Sequence, residues 1–168
     1  QEMGIGYIEK HMPTMLVEDF GIPDVATDGE SFGYKLPDWY PAVGRDDIPE
    51  FGILCFDDRN QAGDDLQKVL ANIQQARTLH GVKLKAGWTV VSTGNRKEDR
   101  AGAQKILTHL ANRETVIELD THLDDSRRWM IDNEVKPEVV SFIGFRPALL
   151  HDFDAQREQN PTPRSWVE

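Results

Sequence analysis

Phe51–Ala62 reads FGILCFDDRNQA. Apolar residues at Phe51 and Ile53–Phe56 lead straight into Asp57 and Asp58. A run this short and this apolar predicts a strand covered on both faces, as in the parallel sheets of α/β layers. Two adjacent carboxylates at its end then call for an explanation, because a buried strand has no packing use for them.

The flanking pattern supports the α/β reading. Downstream, Leu66, Val69, Leu70 and Ile73 fall on one face of a helix, predicted over about 62–78 and ending near His80-Gly81. Asp64 and Asp65 suit its N-terminal dipole. WTVVST, Trp88–Thr93, predicts a second buried strand broken by Gly94, and TVIELD, Thr115–Asp120, a third. Thr121 with Asp124 resembles a capping box opening a helix through Trp129 and Met130. Pro137 is placed to start another helix carrying Val139, Val140 and Ile143. Strands alternating with helices predict an α/β layered domain with a mainly parallel sheet over residues 1–120, followed by a helical segment over 121–168. Upstream of Phe51 the chain is rich in proline and glycine, with one short element expected at Ile5–His11 and a short hairpin within Asp28–Pro41.

Composition narrows the function classes. The chain has 168 residues, 39% hydrophobic and 29% charged, enough for one domain with a core. No apolar run approaches the roughly 20 residues of a membrane span. The net charge of −10 argues against a basic nucleic-acid-binding surface. A single cysteine, Cys55, excludes an internal disulfide and fits a reducing, cytoplasmic setting; mid-strand, it reads as core. The five histidines show no HxxxH or Cys/His spacing, which argues against a zinc site. There is no Gly-x-Ser-x-Gly.

Ligands in open α/β sheets bind beyond the carboxyl ends of the strands. Here one strand ends in Asp57-Asp58, the next in Ser92-Thr93-Gly94-Asn95-Arg96, and Asn112-Arg113 precede the expected third strand. Carboxylates, an amide and arginines at one rim are the groups that phosphoryl transfer uses: a carboxylate to help hold Mg²⁺, a polar group to position water, a cation to stabilise the transferred phosphoryl oxygens. Singly, each is also an ordinary turn or cap signal.

The ordered set GILCFDD, GWTVVSTGNRKEDRAGA, LANRETVIEL, FRPALLHDFD and PTPRSW resembles AAA+ ATPases of the MoxR-like group. MLVEDFGIPD and LPDWYP, upstream, resemble the segment that precedes the Walker B strand in that group. The resemblance covers most of the chain and is strongest over Phe51–Trp166. It implies a partial P-loop NTPase core leading into a helical lid. It implies ATP and Mg²⁺ as ligands, a homo-oligomeric ring, by resemblance a hexamer, and a protein client to be remodelled. It implies roles for single residues: Asp57 assisting Mg²⁺, Asp58 beside it polarising water, Asn95 as sensor 1, Arg113 as the arginine finger reaching a neighbouring subunit, and Arg164 as sensor 2. Arg96 and Arg100 rival Arg113 for the trans-acting position.

Two departures from the family pattern stand out. The family usually has Glu at the position of Asp58, and the shorter side chain withdraws the carboxylate by about 1.5 Å, the length of one C–C bond. No G-x-x-x-x-G-K-[ST] loop occurs in the sequence. The family carries it upstream of the matched region, so the sequence reads as a fragment, expected to bind ATP weakly if at all. Thr162-Pro163 reads as the start of a helix five residues before the last one. Two other classes remain open: a non-catalytic pseudo-ATPase scaffold, and a metal-dependent nuclease or phosphatase that would add Glu118 or Asp120 to Asp57 and Asp58.

Overall fold

The computed structural model describes residues 4–26, 29, 31–95, 114–154, 156–157 and 159–167. Two compact units divide the chain, Gln1–Glu114 and Thr115–Glu168.

Among the described residues, the first unit is built on three parallel strands: β1 (Gly6–His11), β4 (Phe51–Asp57) and β7 (Gly87–Ser92), in the order β1-β4-β7. The apolar run at Phe51 forms the central strand, paired on both edges. Its Leu54 and Phe56 side chains are fully buried, and Cys55 is buried on the opposite face. That opposite face is less covered than expected, since Ile53 is 38% exposed. Between β1 and β4 the chain makes two 3-10 turns and an antiparallel hairpin of β2 (Ile22–Val25) and β3 (Phe32–Lys35). The expected hairpin within Asp28–Pro41 therefore draws its first strand from further upstream.

Register explains how these strands come so close. Gly6 lies opposite Gly52, and Gly52 opposite Trp88. The Trp88 indole lies against both glycines: a Cβ on Gly52 would come within 2.5 Å of the ring and one on Gly6 within 2.7 Å. Trp88 is buried, and its Nε1–H donates to the Pro49 carbonyl at 2.9 Å, which meets the polar need of a buried indole.

Helix α1 (Asp64–Ala71) buries Leu66, Gln67 and Leu70. It runs on through a π-helical stretch, Asn72–Ala76, that buries Ile73 and stops at Arg77, whose φ is 54°. The helix thus ends earlier than His80-Gly81. That pair is instead the two-residue turn between β5 (Thr78–Leu79) and β6 (Val82–Lys83), with φ of 48° and 82°. Two successive positive φ values are what a tight right-twisted hairpin turn requires. A glycine preceded by a polar residue signals both a helix stop and such a turn, and here the hairpin pairing decides.

Thr115–Asp120 is not a strand. It has no regular structure, and Val116, Ile117 and Leu119 are exposed, Leu119 to 85%. Strand propensity becomes a strand only where a partner edge takes up the backbone groups. The second unit holds α2 (Leu123–Asp132) and α3 (Pro137–Phe145), with Met130, Val140, Ile143 and Leu150 forming its core. The residue before α2 is His122, not Thr121, and it makes no side-chain cap. Pro137 starts α3 as expected. Residues 163–167 form turns in place of the expected helix, yet Thr162 and Ser165 exchange reciprocal bonds of the capping-box kind: the Thr162 N–H donates to Ser165 Oγ at 2.9 Å and the Ser165 N–H to Thr162 Oγ1 at 3.2 Å.

The mixed α/β architecture with a parallel sheet is the one expected of a partial P-loop NTPase core. No helix among the described residues is long and apolar enough to cross a membrane. Gly52→Ala should destabilise the first unit by about 1–3 kcal/mol through overpacking. In the Trp88→Leu background the same Gly52→Ala change should cost less, because the ring it would meet is gone. Chemical denaturation of the four proteins of this cycle measures both effects.

Candidate functional site

All three sheet strands run in one direction, so their carboxyl ends form one rim. β1 delivers His11, β4 delivers Asp57 and Asp58, and the chain leaving β7 delivers Thr93 and Asn95. His11 and Asp57 are register partners, as are Phe56 and Ser92.

Asp57 sits at the centre. Thr93 Oγ1 donates to Asp57 Oδ1 at 2.6 Å, and His11 Nδ1 lies 3.2 Å from Asp57 Oδ2. The Thr93 hydroxyl, and after it His11, holds the Asp57 carboxyl below its ordinary pKa despite the opposing effect of burial. The same Thr93 oxygen accepts the Asp58 N–H at 3.0 Å. Thr93 also bonds through its backbone: its N–H donates to Phe56 O at 3.1 Å, and its carbonyl accepts the Arg59 N–H at 3.0 Å. One threonine thus ties the end of β4 to the end of β7.

Asp58 leaves the extended conformation, with φ 52° and ψ 38°. Aspartate tolerates this left-handed region better than most side chains. Successive side chains of a strand point to opposite faces. The break at Asp58 therefore allows both carboxylates to gather at the rim, where ligand atoms of His11, Asp57 and Asp58 all lie within 4.8 Å of one another. Asn95 Nδ2 donates to Asp58 Oδ1 at 3.4 Å. Asn95 itself is clamped by the buried Asn60, whose Nδ2 donates to Asn95 O at 2.5 Å and whose Oδ1 accepts the Asn95 N–H at 3.2 Å. Gly94 is needed for that clamp, since a Cβ there would come within 2.8 Å of Asn60 Oδ1. Arg59, 5% exposed, pairs with Glu114 and Gln74.

The structure brings Asp57, Asp58 and Asn95 together. Arg113, Arg96 and Arg100 lie outside the described residues. Arg164 is exposed in the second unit, as are Glu118 and Asp120. Sequence reasoning missed three contributors: His11, Thr93 as the link between strands, and Asn60 as the clamp. Thr93 and Asn60 stood in or beside quoted motifs, but His11 is 46 residues from Asp57, and only strand pairing joins them. Two half-buried carboxylates at an accessible rim are hard oxygen donors of the kind Mg²⁺ takes alongside its waters.

Because Asp57 is depressed, its ionised form contributes stability above the ordinary aspartate range, and that contribution is lost as pH falls through the lower folded-state value. Thr93→Val removes the largest cause of the depression, so the Asp57 carboxyl should titrate at higher pH, whereas Thr93→Ser should keep it low. Carboxyl ¹³C NMR across an acid titration reads both variants.

No family model matches this chain, and no curated protein matches it. Among solved structures, the chain is similar to one described as a "putative ATPase" from Cytophaga hutchinsonii, with 18% identity and a TM-score of 0.46. That match covers 78% of this chain and 38% of the other, so this chain spans well under two thirds of the length of that one.

Proposed function

We propose that this chain is part of an AAA+ ATPase of the MoxR-like group, in which ATP is hydrolysed between subunits of a ring to remodel a protein partner. The observation that carries this reading is the meeting of Asp57, Asp58 and Asn95 at the carboxyl rim of a parallel sheet, with Asn95 within hydrogen-bond reach of Asp58.

Each residue has a distinct part in this reading. Asp57, fixed by the Thr93 hydroxyl, would hold Mg²⁺ together with Asp58, in part through water. The ion would supply positive charge against the phosphate oxygens. Asp58 would accept a hydrogen bond from the attacking water and align it with the terminal phosphoryl group. Asn95, fixed by Asn60, would sense that group and hold the same water from the other side. Arg113 would reach the nucleotide of the neighbouring subunit and stabilise the charge that spreads over the transferred oxygens. Arg164, by the resemblance, would serve as sensor 2. The sequence has no G-x-x-x-x-G-K-[ST] loop, so these residues supply one side of a triphosphate site.

A second reading, a non-catalytic scaffold with the same fold, draws support from Asp58 itself. It is shorter than the glutamate of the family pattern, and misplacement of about 1 Å can cost roughly a hundredfold in rate.

In the full-length protein, Asp58→Asn should slow turnover and trap bound ATP. Arg113→Ala should slow turnover by about 10³-fold or more and leave nucleotide binding largely intact. Phosphate release and nucleotide-binding assays separate the readings. Unchanged turnover in both variants removes the site assignment, and no magnesium-dependent turnover in the parent favours the scaffold.

A further inference from the structure

Among the described residues, the rim holds a group that the proposed phosphoryl transfer does not use. His11 ends β1 in register with Asp57, and its Nδ1 stands 3.2 Å from Asp57 Oδ2. Two donor atoms at neighbouring positions of an octahedral cation, each about 2.1 Å from the metal, are about 3.0 Å apart. The His11–Asp57 spacing is close to that of two ligands sharing one ion. Asp58 brings the third donor, and the ligand atoms of all three residues fall within 4.8 Å of one another.

The surroundings orient these donors as the outer partners of metal ligands do. The Thr93 hydroxyl holds Asp57 Oδ1, leaving Oδ2 turned toward His11. Asn95 holds Asp58 Oδ1. His11 is exposed while Asp57 and Asp58 are half-buried, so an ion can enter from solvent and keep water in its remaining positions. The donor set also selects among ions. Carboxylates suit Mg²⁺ and Mn²⁺ alike, but an imidazole nitrogen favours transition metals over the hard Mg²⁺ ion.

We propose that His11, Asp57 and Asp58 form a mixed nitrogen–oxygen site for a divalent transition-metal cation of the Mn²⁺ or Co²⁺ class, with His11 as a direct ligand. The proposal rests on the reading of Asp57 and Asp58 as cation ligands, and it adds that the site binds a metal without nucleotide and prefers a transition metal to Mg²⁺.

Mn²⁺ titrated into the 168-residue chain without nucleotide tests this, with free Mn²⁺ followed by its EPR signal and the bound ion by pulsed EPR. One Mn²⁺ should bind per chain, with a ¹⁴N coupling from the imidazole. His11→Gln should abolish that coupling and weaken Mn²⁺ binding by about tenfold or more while leaving Mg²⁺ binding nearly unchanged, so that Mg²⁺ displaces the remaining Mn²⁺ at a correspondingly lower Mg²⁺:Mn²⁺ ratio. Circular dichroism of the variant confirms the fold, as expected for an exposed side chain. Bound Mn²⁺ without ¹⁴N coupling, or unchanged affinity in His11→Gln, overturns His11 as a ligand and leaves Asp57 and Asp58 as the cation's holders. No binding at millimolar Mn²⁺ overturns the nucleotide-free site. Neither result decides the ATPase reading, which stands or falls on turnover of the Asp58→Asn protein.

Discussion

The packing of the Trp88 indole across Gly52 and Gly6 is the constraint on which the first unit depends. Strand register is strongly specified wherever a slip would move side chains between faces. Slipping β4 by one residue would place Phe51 or Ile53 opposite Trp88 in place of Gly52, and neither leaves room for the ring. The same register fixes the rim. Gly6 opposite Gly52 sets His11 opposite Asp57, and Gly52 opposite Trp88 sets Phe56 opposite Ser92. Thr93, next along the chain, then reaches Asp57 and Asp58 together. A packing choice at one end of the sheet thus determines which polar groups meet at the other.

This dependence explains what was legible in the sequence. β4 and β7 could be read because short apolar runs bounded by polar residues admit few other interpretations, and α1 because its apolar residues recur with helical spacing. That Asp57, Asp58 and Asn95 come to one rim could be read because Asp57 ends β4, Asp58 follows it and Asn95 lies three residues beyond β7. The misread pieces share a different physics. Thr115–Asp120 has the residue types of a strand, but pairing is decided by what lies alongside it. His80-Gly81 carries a stop signal common to helices and hairpins. His11 carries no local signal, since its relation to Asp57 exists only once β1 lies parallel to β4.

Thr93 shows why the second layer of the site is harder to read than the first. A threonine at the end of a strand is unremarkable in sequence. Here its side-chain oxygen serves two partners in one geometry, donating to the Asp57 carboxylate and accepting from the Asp58 amide. Its backbone secures the turn on both sides through Phe56 and Arg59. Four hydrogen bonds on one residue make the two-aspartate turn and the β7 loop a single piece, so Asp58 can hold its left-handed conformation without drifting from Asn95.

The buried Arg59–Glu114 pair follows from the same turn. Asp58 in the left-handed region redirects the chain, and the next side chain, Arg59, is buried. A buried guanidinium must be paired, because an uncompensated charge there is strongly destabilising. Glu114 and Gln74 meet that need, and Gln74 in turn donates to Ser92 Oγ at 2.7 Å at the end of β7. A cation from solvent therefore meets carboxylates whose neighbouring arginine, Arg59, is already engaged by Glu114.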